Sequence, residues 1–144
     1  MNKTVNILGA GISGLSCAII LAKNGCKVNV YESQKTVGTR FNNDWQGIEN
    51  WSEDIDVLEQ IRSFGIKTDF CHEPLNHINF HVGKEENCVD LKDSRAAAYL
   101  VRRGKTEESL DNCLLEQAKS LGACVFFGTG KDYLKKDDIT IDIN

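Results

Sequence analysis

The sequence is poor in proline, with one residue in 144, and it contains no low-complexity run or internal repeat. These absences argue against long disordered linkers. A chain of this length is sufficient for one domain with a hydrophobic core and too short for two ordinary ones. Apolar residues make up 41% and charged residues 26%, as in globular proteins. We therefore expect residues 1–144 to form a single domain.

Positive charge is also scarce. The chain has 17 lysines and arginines against 21 acidic residues, for a formal net charge of -4. This balance gives no support for a surface that binds nucleic acid or an anionic membrane. One basic cluster, Arg102, Arg103 and Lys105, is followed at once by Glu107 and Glu108. A solvated turn is its simplest interpretation, unless the flanking elements direct it at a phosphate.

No two cysteines have the Cys-x-x-Cys spacing, although the chain has six. In a secreted protein an even number would suggest disulfides. Several of them fall on apolar positions of predicted helices and strands, where reduced cysteine behaves as a small hydrophobic residue. The pattern predicts a reducing, cytoplasmic location. The six are Cys17, Cys26, Cys71, Cys88, Cys113 and Cys124.

Histidine is scarce as well, and its spacing does not suit a metal. On a strand, His77 and His81 share a face but lie ~13 Å apart, at about 3.3 Å per residue. Zinc–nitrogen bonds are only about 2 Å long, so one ion cannot join the two rings. His72 is adjacent to Cys71, and neighbours on a strand point in opposite directions. The sequence predicts no metal site.

Charge is nearly absent from residues 5–22, which follow Lys3. A lysine followed by an uncharged, largely apolar segment is typical of a signal peptide, but Gly9, Gly11 and Gly14 interrupt the segment here. A membrane helix needs about 20 predominantly apolar residues, and glycine at this density weakens any helix. The pattern also continues into another strand instead of a plausible mature start. We predict neither a signal peptide nor a transmembrane segment.

Residues 5–32 instead predict a strand, a glycine turn, a helix and a second strand. Residues 5–8, VNIL, favour a buried strand, and apolar residues recur at helical spacing over 15–22. Gly25 provides a helix stop, and residues 28–32 alternate as a second strand. The result is a βαβ unit with a right-handed crossover.

The glycine turn predicts a site for a dinucleotide. Gly9 permits the tight turn, Gly11 lets a pyrophosphate approach the backbone, and Gly14 allows the helix to pack closely on the sheet. Ile12 and Ser13 begin the helix, whose unpaired N–H groups then face the phosphates. A P-loop is excluded because no Gly-Lys-Ser/Thr follows. A glycine-rich turn in another α/β protein is the alternative.

The end of the second strand carries an acid. Glu32 lies where its carboxylate can accept hydrogen bonds from ribose hydroxyls, and we include its neighbour Ser33 in the site. Residues 33–52 are polar and predict a loop. Arg40 in that loop either swings back to the pyrophosphate or is a free surface arginine.

Residues 9–32, GAGISGLSCAIILAKNGCKVNVYE, resemble the ADP-binding fingerprint of two-dinucleotide-binding flavoproteins. Glutamate at position 32 and the spacing to Gly25 favour FAD over NAD, although both cofactors have the same ADP half. Residues 99–129 are similar to the Arg…Asp-x-x-Leu…Ala-x-x-x-Gly-Ala segment of the flavin-dependent geranylgeranyl reductase family, relatives of aromatic-ring hydroxylases. Residues 37–52 also look like that family's loop. The resemblance implies that Arg103, or else Arg102, helps to hold FAD. Compared with the family pattern, this sequence has about four extra residues between that arginine and Asp111.

The remaining elements predict how the fold is completed. Ser52 caps a predicted helix that Gly65 ends. Its buried apolar stripe consists of Val57, Leu58, Ile61 and Phe64. A hairpin turns at residues 84–87, residues 96–104 form a further strand, and Ser109 begins a helix stopped by Gly122. Residues 124–127 enter as a third parallel strand beside the second. The prediction is an α/β fold: a partial doubly wound, Rossmann-like parallel sheet, strand order 3-2-1, with an inserted β-rich segment at 66–104.

Order 3-2-1 leaves the first strand at an open edge, because the tail predicts only a hairpin that turns at residues 135–138. Either the chain is the N-terminal part of a longer enzyme, which we favour, or a second chain covers the edge. The resemblance implies an FAD-dependent oxidoreductase that reduces prenyl double bonds of a small isoprenoid substrate, with NAD(P)H as reductant. The alternatives are an FAD-dependent hydroxylase and a non-catalytic module that binds ADP-ribose or NAD. No catalytic residue is identifiable.

Overall fold

The computed structural model describes residues 3–89, 95–130 and 139–142. Within these ranges the chain forms a four-stranded sheet, a three-stranded sheet, a two-stranded hairpin and three helices. In chain order the elements are β1 (Thr4–Leu8), α1 (Ile12–Lys23), β2 (Lys27–Glu32), β3 (Trp45–Glu49), α2 (Val57–Ser63), β4 (His72–Leu75), β5 (Ile78–Val82), β6 (Glu85–Val89), β7 (Ala98–Arg102), α3 (Leu110–Ser120), β8 (Cys124–Phe127) and β9 (Ile139–Asp142).

The first sheet is parallel and has the strand order β8-β2-β1-β9. The predicted α/β, Rossmann-like fold is confirmed, as is the entry of residues 124–127 beside the second strand. Val5 and Ile7 of β1 are buried in the same core cluster as Leu15 and Ile19 of α1, and α1 packs in turn against α3. Because β2 is apolar at Val28 and Val30, the same face of both strands forms the centre of the core.

The predicted open edge at β1 is wrong. β9 pairs with it in parallel, from Val5 opposite Ile139 to Leu8 opposite Asp142. Without β9 the N–H and C=O groups on this side of β1 would have no strand partner, which favours the pairing. The second chain that we invoked to cover that edge loses its basis, and the predicted turn at residues 135–138 lies outside the described residues.

The second sheet is antiparallel, with the order β3-β7-β4. Residues 33–52 were predicted as a loop, but β3 lies within them and pairs with β7, from Trp45 opposite Arg102 to Glu49 opposite Ala98. Four of the five β3 residues are exposed, so hydrophobic alternation is weak in this edge strand. The predicted strand in residues 96–104 is confirmed as β7.

The second helix begins later than predicted. Asp56, not Ser52, is the N-cap, and its carboxylate accepts hydrogen bonds from the amides of Leu58 and Glu59. The Ser52 hydroxyl donates instead to Glu49 at 2.7 Å. A carboxylate at a helix N-terminus makes stronger, charge-assisted bonds than a hydroxyl does. Phe64, predicted to be in the buried stripe, is 55% exposed.

The hairpin prediction is confirmed with a shifted turn. β5 and β6 pair in antiparallel fashion, and residues 83 and 84 connect them. Gly83 has φ +65°, which suits a two-residue connection. The third helix has Ser109 as its N-cap, as predicted, and Gly122 follows it with φ +90°. No helix in the described ranges is both long and apolar enough to cross a bilayer.

Candidate functional site

A cleft of about 880 Å³ opens where β1 and β2 end and α1 begins. Ligands of open α/β sheets bind outside the carboxyl ends of the strands, which is where this cleft lies. Its wall combines the glycine turn, the end of β2, the loop that follows, and the start of α3. The lining residues are Ala10, Gly11, Ile12, Glu32, Gln34, Thr36, Val37, Gly38, Thr39, Arg40, Phe41, Gln46, Arg103 and Asp111.

The glycine turn has the conformation that its sequence requires. Gly9 has φ +95°, and its amide donates to the carbonyl of Tyr31 at 2.8 Å. A Cβ added at Gly14 would collide with the carbonyl oxygen of Gly9. Gly14 is therefore needed for the close approach of α1 to the turn.

Gly11 is the N-cap of α1, and no side chain caps the helix there. The amide of Leu15 makes the first intrahelical bond, to the carbonyl of Gly11 at 2.9 Å. The N–H groups before it, those of Ile12 and Ser13 among them, are free of intrahelical partners and favour an anion. An added Cβ at Gly11 would find no heavy atom within 4 Å, so space for a bound group lies directly against this backbone.

Glu32 ties the end of β2 to the glycine turn. Its Oε2 accepts a hydrogen bond from the amide of Ala10 at 2.8 Å. Its Oε1 accepts from the amide of Gln34 at 2.8 Å and from the hydroxyl of Ser33 at 3.3 Å. A carboxylate has about four lone-pair sites, so capacity remains for a ligand hydroxyl.

At the other end of the cleft, Arg103 forms a two-pronged ion pair with Asp111. Nε and Nη2 donate to the two carboxylate oxygens at 2.9 Å each, and both side chains are buried, with 8% and 4% exposure. The amide of Gly104 donates to the same carboxylate at 3.0 Å, and Nη1 donates to Gln46. The guanidinium lies 4.1 Å from the centre of the Phe41 ring. The pair is thus fixed in position beside the cleft.

Arg102 points elsewhere. Its Nη1 pairs with the exposed Glu108 at 3.0 Å, and its guanidinium lies 4.9 Å from the ring of Trp45. Of the two arginines considered, Arg103 is the one that lines the cleft. The prediction of a solvated turn is therefore wrong for Arg102, which is the last residue of β7, and for Arg103, which is buried and lines the cleft.

The other predicted residues divide into three groups. Arg40 is exposed and lines the cleft together with Gly11, Ile12, Glu32 and Arg103. Gly9 and Gly14 shape the glycine turn but do not line the cleft themselves. The side chains of Ser13 and Ser33 are exposed and lie outside the lining.

Sequence reasoning missed three lining side chains that interact directly with Arg103: Phe41, Gln46 and Asp111. Phe41 and Gln46 gave no signal, because they belong to a polar segment with no recognisable period. Asp111 did give one, since an acid in the first turn of a helix eight residues after an arginine is within reach of it. In the described part of the chain, no group of three His, Cys, Asp or Glu residues is placed to hold a metal ion.

A second polar network lies outside the cleft, between α2 and β7. The carboxylate of Asp56 accepts from the Tyr99 hydroxyl at 2.8 Å and from the Asn50 amide at 3.0 Å. Partial burial opposes the ionised form of Asp56, but these bonds and those from Leu58 and Glu59 prevail and lower its pKa. Burial and the bond to Asp56 raise the pKa of Tyr99 to about 12. The network joins a helix to a sheet and is structural.

Comparison with protein families matches residues 7–47, the turn, α1, β2 and the start of β3, to the NAD(P)-binding Rossmann-like domain. Residues 7–47 are thus similar to an NAD(P)-binding Rossmann-like domain, and the fold around them is Rossmann-like. The match covers the glycine turn and Glu32, which the structure places at one end of the cleft. The remaining cleft residues, Arg103 and Asp111, lie outside the matched range.

Among curated proteins, an L-amino acid oxidase from Cerastes cerastes is 36% identical over 161 aligned positions, which cover 94% of this chain and 31% of the oxidase. The chain spans 10–31% of the length of the first curated relatives it matches. The Rossmann-like domain is thus compared with one part of much longer proteins.

Solved structures show the same fold. A geranylgeranyl bacteriochlorophyll reductase-like protein from Thermoplasma acidophilum superposes with a TM-score of 0.66 at 19% identity, over 89% of this chain and 31% of that one. A variant of 2-methyl-3-hydroxypyridine-5-carboxylic acid oxygenase gives a TM-score of 0.62 at 18% identity, over 89% and 32%. At such identities the likeness shows the fold of the Rossmann-like domain alone.

Proposed function

We propose that this chain is the FAD-binding part of a flavin-dependent oxidoreductase. The observation that carries the proposal is the length of the cleft, which runs from Glu32 and Gly11 to the Arg103–Asp111 pair. A ligand with an ADP end at Glu32 would thus extend past its phosphates toward a second set of polar groups. The names of the relatives, an oxidase, a reductase-like protein and an oxygenase, support a redox enzyme.

Each part of the cleft suits one part of FAD. Glu32 would accept hydrogen bonds from the adenosine ribose, and the amides at Gly11, Ile12 and Ser13 would bind the pyrophosphate. Arg103 has five N–H donors and uses three of them on Asp111 and Gln46, which leaves two for a ribityl hydroxyl. When bound, the flavin would supply the electron transfer, while these residues bind and orient it.

For the reaction, we favour reduction of prenyl double bonds on a small isoprenoid substrate, with NAD(P)H as the reductant. The reductase-like structural neighbour and the motif in residues 99–129 support this reading. Hydroxylation is the second candidate, which the oxygenase neighbour favours. A non-catalytic module that binds ADP-ribose or NAD is the third.

Ligand binding by the whole chain separates FAD from NAD. We expect quenching of FAD fluorescence and a dissociation constant for FAD at least about tenfold lower than that for NADH, since FAD engages both ends of the cleft. Titration calorimetry with FAD, ADP and NADH measures this. Tighter binding of NADH than of FAD would contradict the proposal.

Gly11→Val places a side chain in the space where the pyrophosphate is expected, and should weaken ADP binding by about 100-fold or more. Gly47→Val on β3 is the matched control, since an added Cβ there also finds no atom within 4 Å and Gly47 does not line the cleft. Circular dichroism checks that both variants are folded. Equal ADP affinity in the two variants would remove the phosphate role of Gly11.

A further inference from the structure

A second cavity, of about 350 Å³, lies beside the cofactor cleft, between α1, α2, α3 and the antiparallel sheet. Branched aliphatic side chains and one phenyl ring form most of its wall. Five of the wall residues are almost fully buried, with exposures of 1–6%: Ile66, Phe70, Val101, Leu110 and Leu114. The volume lies within the range of small-molecule sites.

Three polar side chains of the described part of the chain line this cavity. Ser16, one turn after Ile12 on α1, and Gln46 on β3 lie there with Arg103. Ile12, Gln46 and Arg103 also line the cofactor cleft, so the two spaces share a wall. The apolar part of the cavity is therefore directed into the core, and its polar side is directed toward the cleft.

The polar side is close to neutral. Among the described residues that line the cavity, Arg103 carries the one charge, and the Asp111 carboxylate already pairs with it at 2.9 Å. The Gln46 carbonyl oxygen accepts from Arg103, which leaves the Gln46 amide N–H and the Ser16 hydroxyl as groups for a ligand. An anionic head group would lose its hydration here without gaining an unpaired cation.

An apolar space of this size has a physical consequence. Its wall atoms lack partners on one side and forgo the dispersion contacts that close packing provides. Apolar cavities of comparable type exclude water and accept hydrocarbon guests. A guest that fills the space would stabilise the fold around it.

We propose that this cavity binds a small, uncharged molecule with a hydrocarbon body and a single hydroxyl or carbonyl group, which lies at Ser16 and Gln46. The site shares a wall with the FAD site but extends to Ile48 on β3 and Ile61 on α2, neither of which lines the cofactor cleft. Octan-1-ol is a suitable probe, and octanoate tests the charge preference.

The test uses the whole chain. Octan-1-ol should raise the unfolding temperature in a saturable way and should shift the methyl NMR signals of Val101 and Leu114. Octanoate should bind at least about tenfold more weakly. No saturable shift, or tighter binding of octanoate, would overturn the proposal.

Two substitutions fill the cavity from different elements. Ile48→Phe on β3 and Ile61→Phe on α2 should each weaken octan-1-ol binding about tenfold or more while leaving ADP affinity unchanged, because neither residue lines the cofactor cleft. Ile20→Phe on α1 is the control, since Ile20 is 37% exposed and lies outside the cavity. If octan-1-ol binds the filled variants as it binds the control, the site is refuted. The NMR shifts of the unsubstituted chain decide the question should a filled variant fail to fold.

Discussion

Single residues at the two ends of the cleft have different tasks. Glu32 ties the end of β2 to the glycine turn through the amide of Ala10, and we propose that it also binds a ribose. Asp111 touches the cleft wall but acts through Arg103, which it holds with two hydrogen bonds. Substitutions at these positions should therefore affect binding and stability in different proportions.

Glu32→Ala should weaken ADP binding by roughly 1–3 kcal/mol, as expected for hydrogen bonds to a charged group. Calorimetric titration measures the loss. Glu73→Ala is the control, because Glu73 is exposed on β4 and far from the turn in sequence. Should both variants bind ADP equally, Glu32 has no part in ribose binding.

Asp111→Asn should lower the free energy of unfolding by about 3–5 kcal/mol, because it leaves the buried Arg103 without a counter-charge. The matched change Glu108→Gln removes the exposed partner of Arg102 and should cost only about 0–1 kcal/mol. Urea unfolding of the two variants measures the difference. Equal losses would mean that the Arg103–Asp111 pair is not buried as described.

At the scale of elements, the Asp56–Tyr99–Asn50 network joins α2 to the antiparallel sheet. Its bonds end the loop after β3 and begin the helix, since Asn50 Oδ1 also accepts from the amide of Val57 at 2.6 Å. This explains why the helix begins at Val57, four residues later than a Ser52 cap would place it. The cap was decided by a partner 43 residues away in sequence, Tyr99.

Tyr99→Phe should lower stability at neutral pH by about 1.5–3 kcal/mol, as for a hydrogen bond to a carboxylate. The pKa of Asp56 is lowered by folding, so its contribution is complete above the ordinary value of 3.8 and is lost as pH falls through the lower folded value. The difference in the free energy of unfolding between Tyr99→Phe and the unsubstituted chain should therefore become smaller below about pH 4.

On the alkaline side, folding raises the pKa of Tyr99 from 10.0 to about 12, so the unsubstituted chain loses stability across that interval and the variant does not. Urea unfolding at a series of pH values measures the change in the free energy of unfolding in both the acidic and the alkaline range. Tyr31→Phe is the control, because Tyr31 stacks on Phe126 instead of joining this network. A pH-independent difference would show that the Tyr99 hydroxyl does not stabilise ionised Asp56.

At the scale of the molecule, the parallel sheet and the antiparallel sheet are joined by the cleft wall. Gly38 packs so closely on Gly104 that an added Cβ would collide with the carbonyl oxygen of Gly104. The loop after β2 is thereby fixed against the turn that carries Arg103. Ligand binding across this wall should stabilise the whole chain.

FAD at about 100 times its dissociation constant should raise the free energy of unfolding by roughly 2.7 kcal/mol. Adenosine at the same concentration should raise it far less, because it lacks the phosphates that the start of α1 favours. Thermal unfolding with each ligand tests this. Equal stabilisation by both would indicate that the phosphates contribute no binding energy.

The sequence alone determined the local units whose signals are short-range. The spacing of Gly9, Gly11 and Gly14 between a strand and a helix is dictated by backbone sterics within six residues, so the βαβ unit and its acid were predictable. The Ser109 cap and the stop at Gly122 are local for the same reason. The motif in residues 99–129 likewise indicated Arg103 ahead of Arg102.

Only the tertiary structure decided the pairings between distant segments. β9 covers β1, β3 joins β7, and Gln46 and Phe41 meet Arg103, because backbone and side-chain groups far apart in sequence satisfy one another. An edge strand with four exposed residues has no alternating apolar pattern that would predict it. The partners of a buried salt bridge follow no periodic sequence pattern either. The βαβ unit was therefore predictable from the sequence, whereas the far wall of the cleft arose from the tertiary fold.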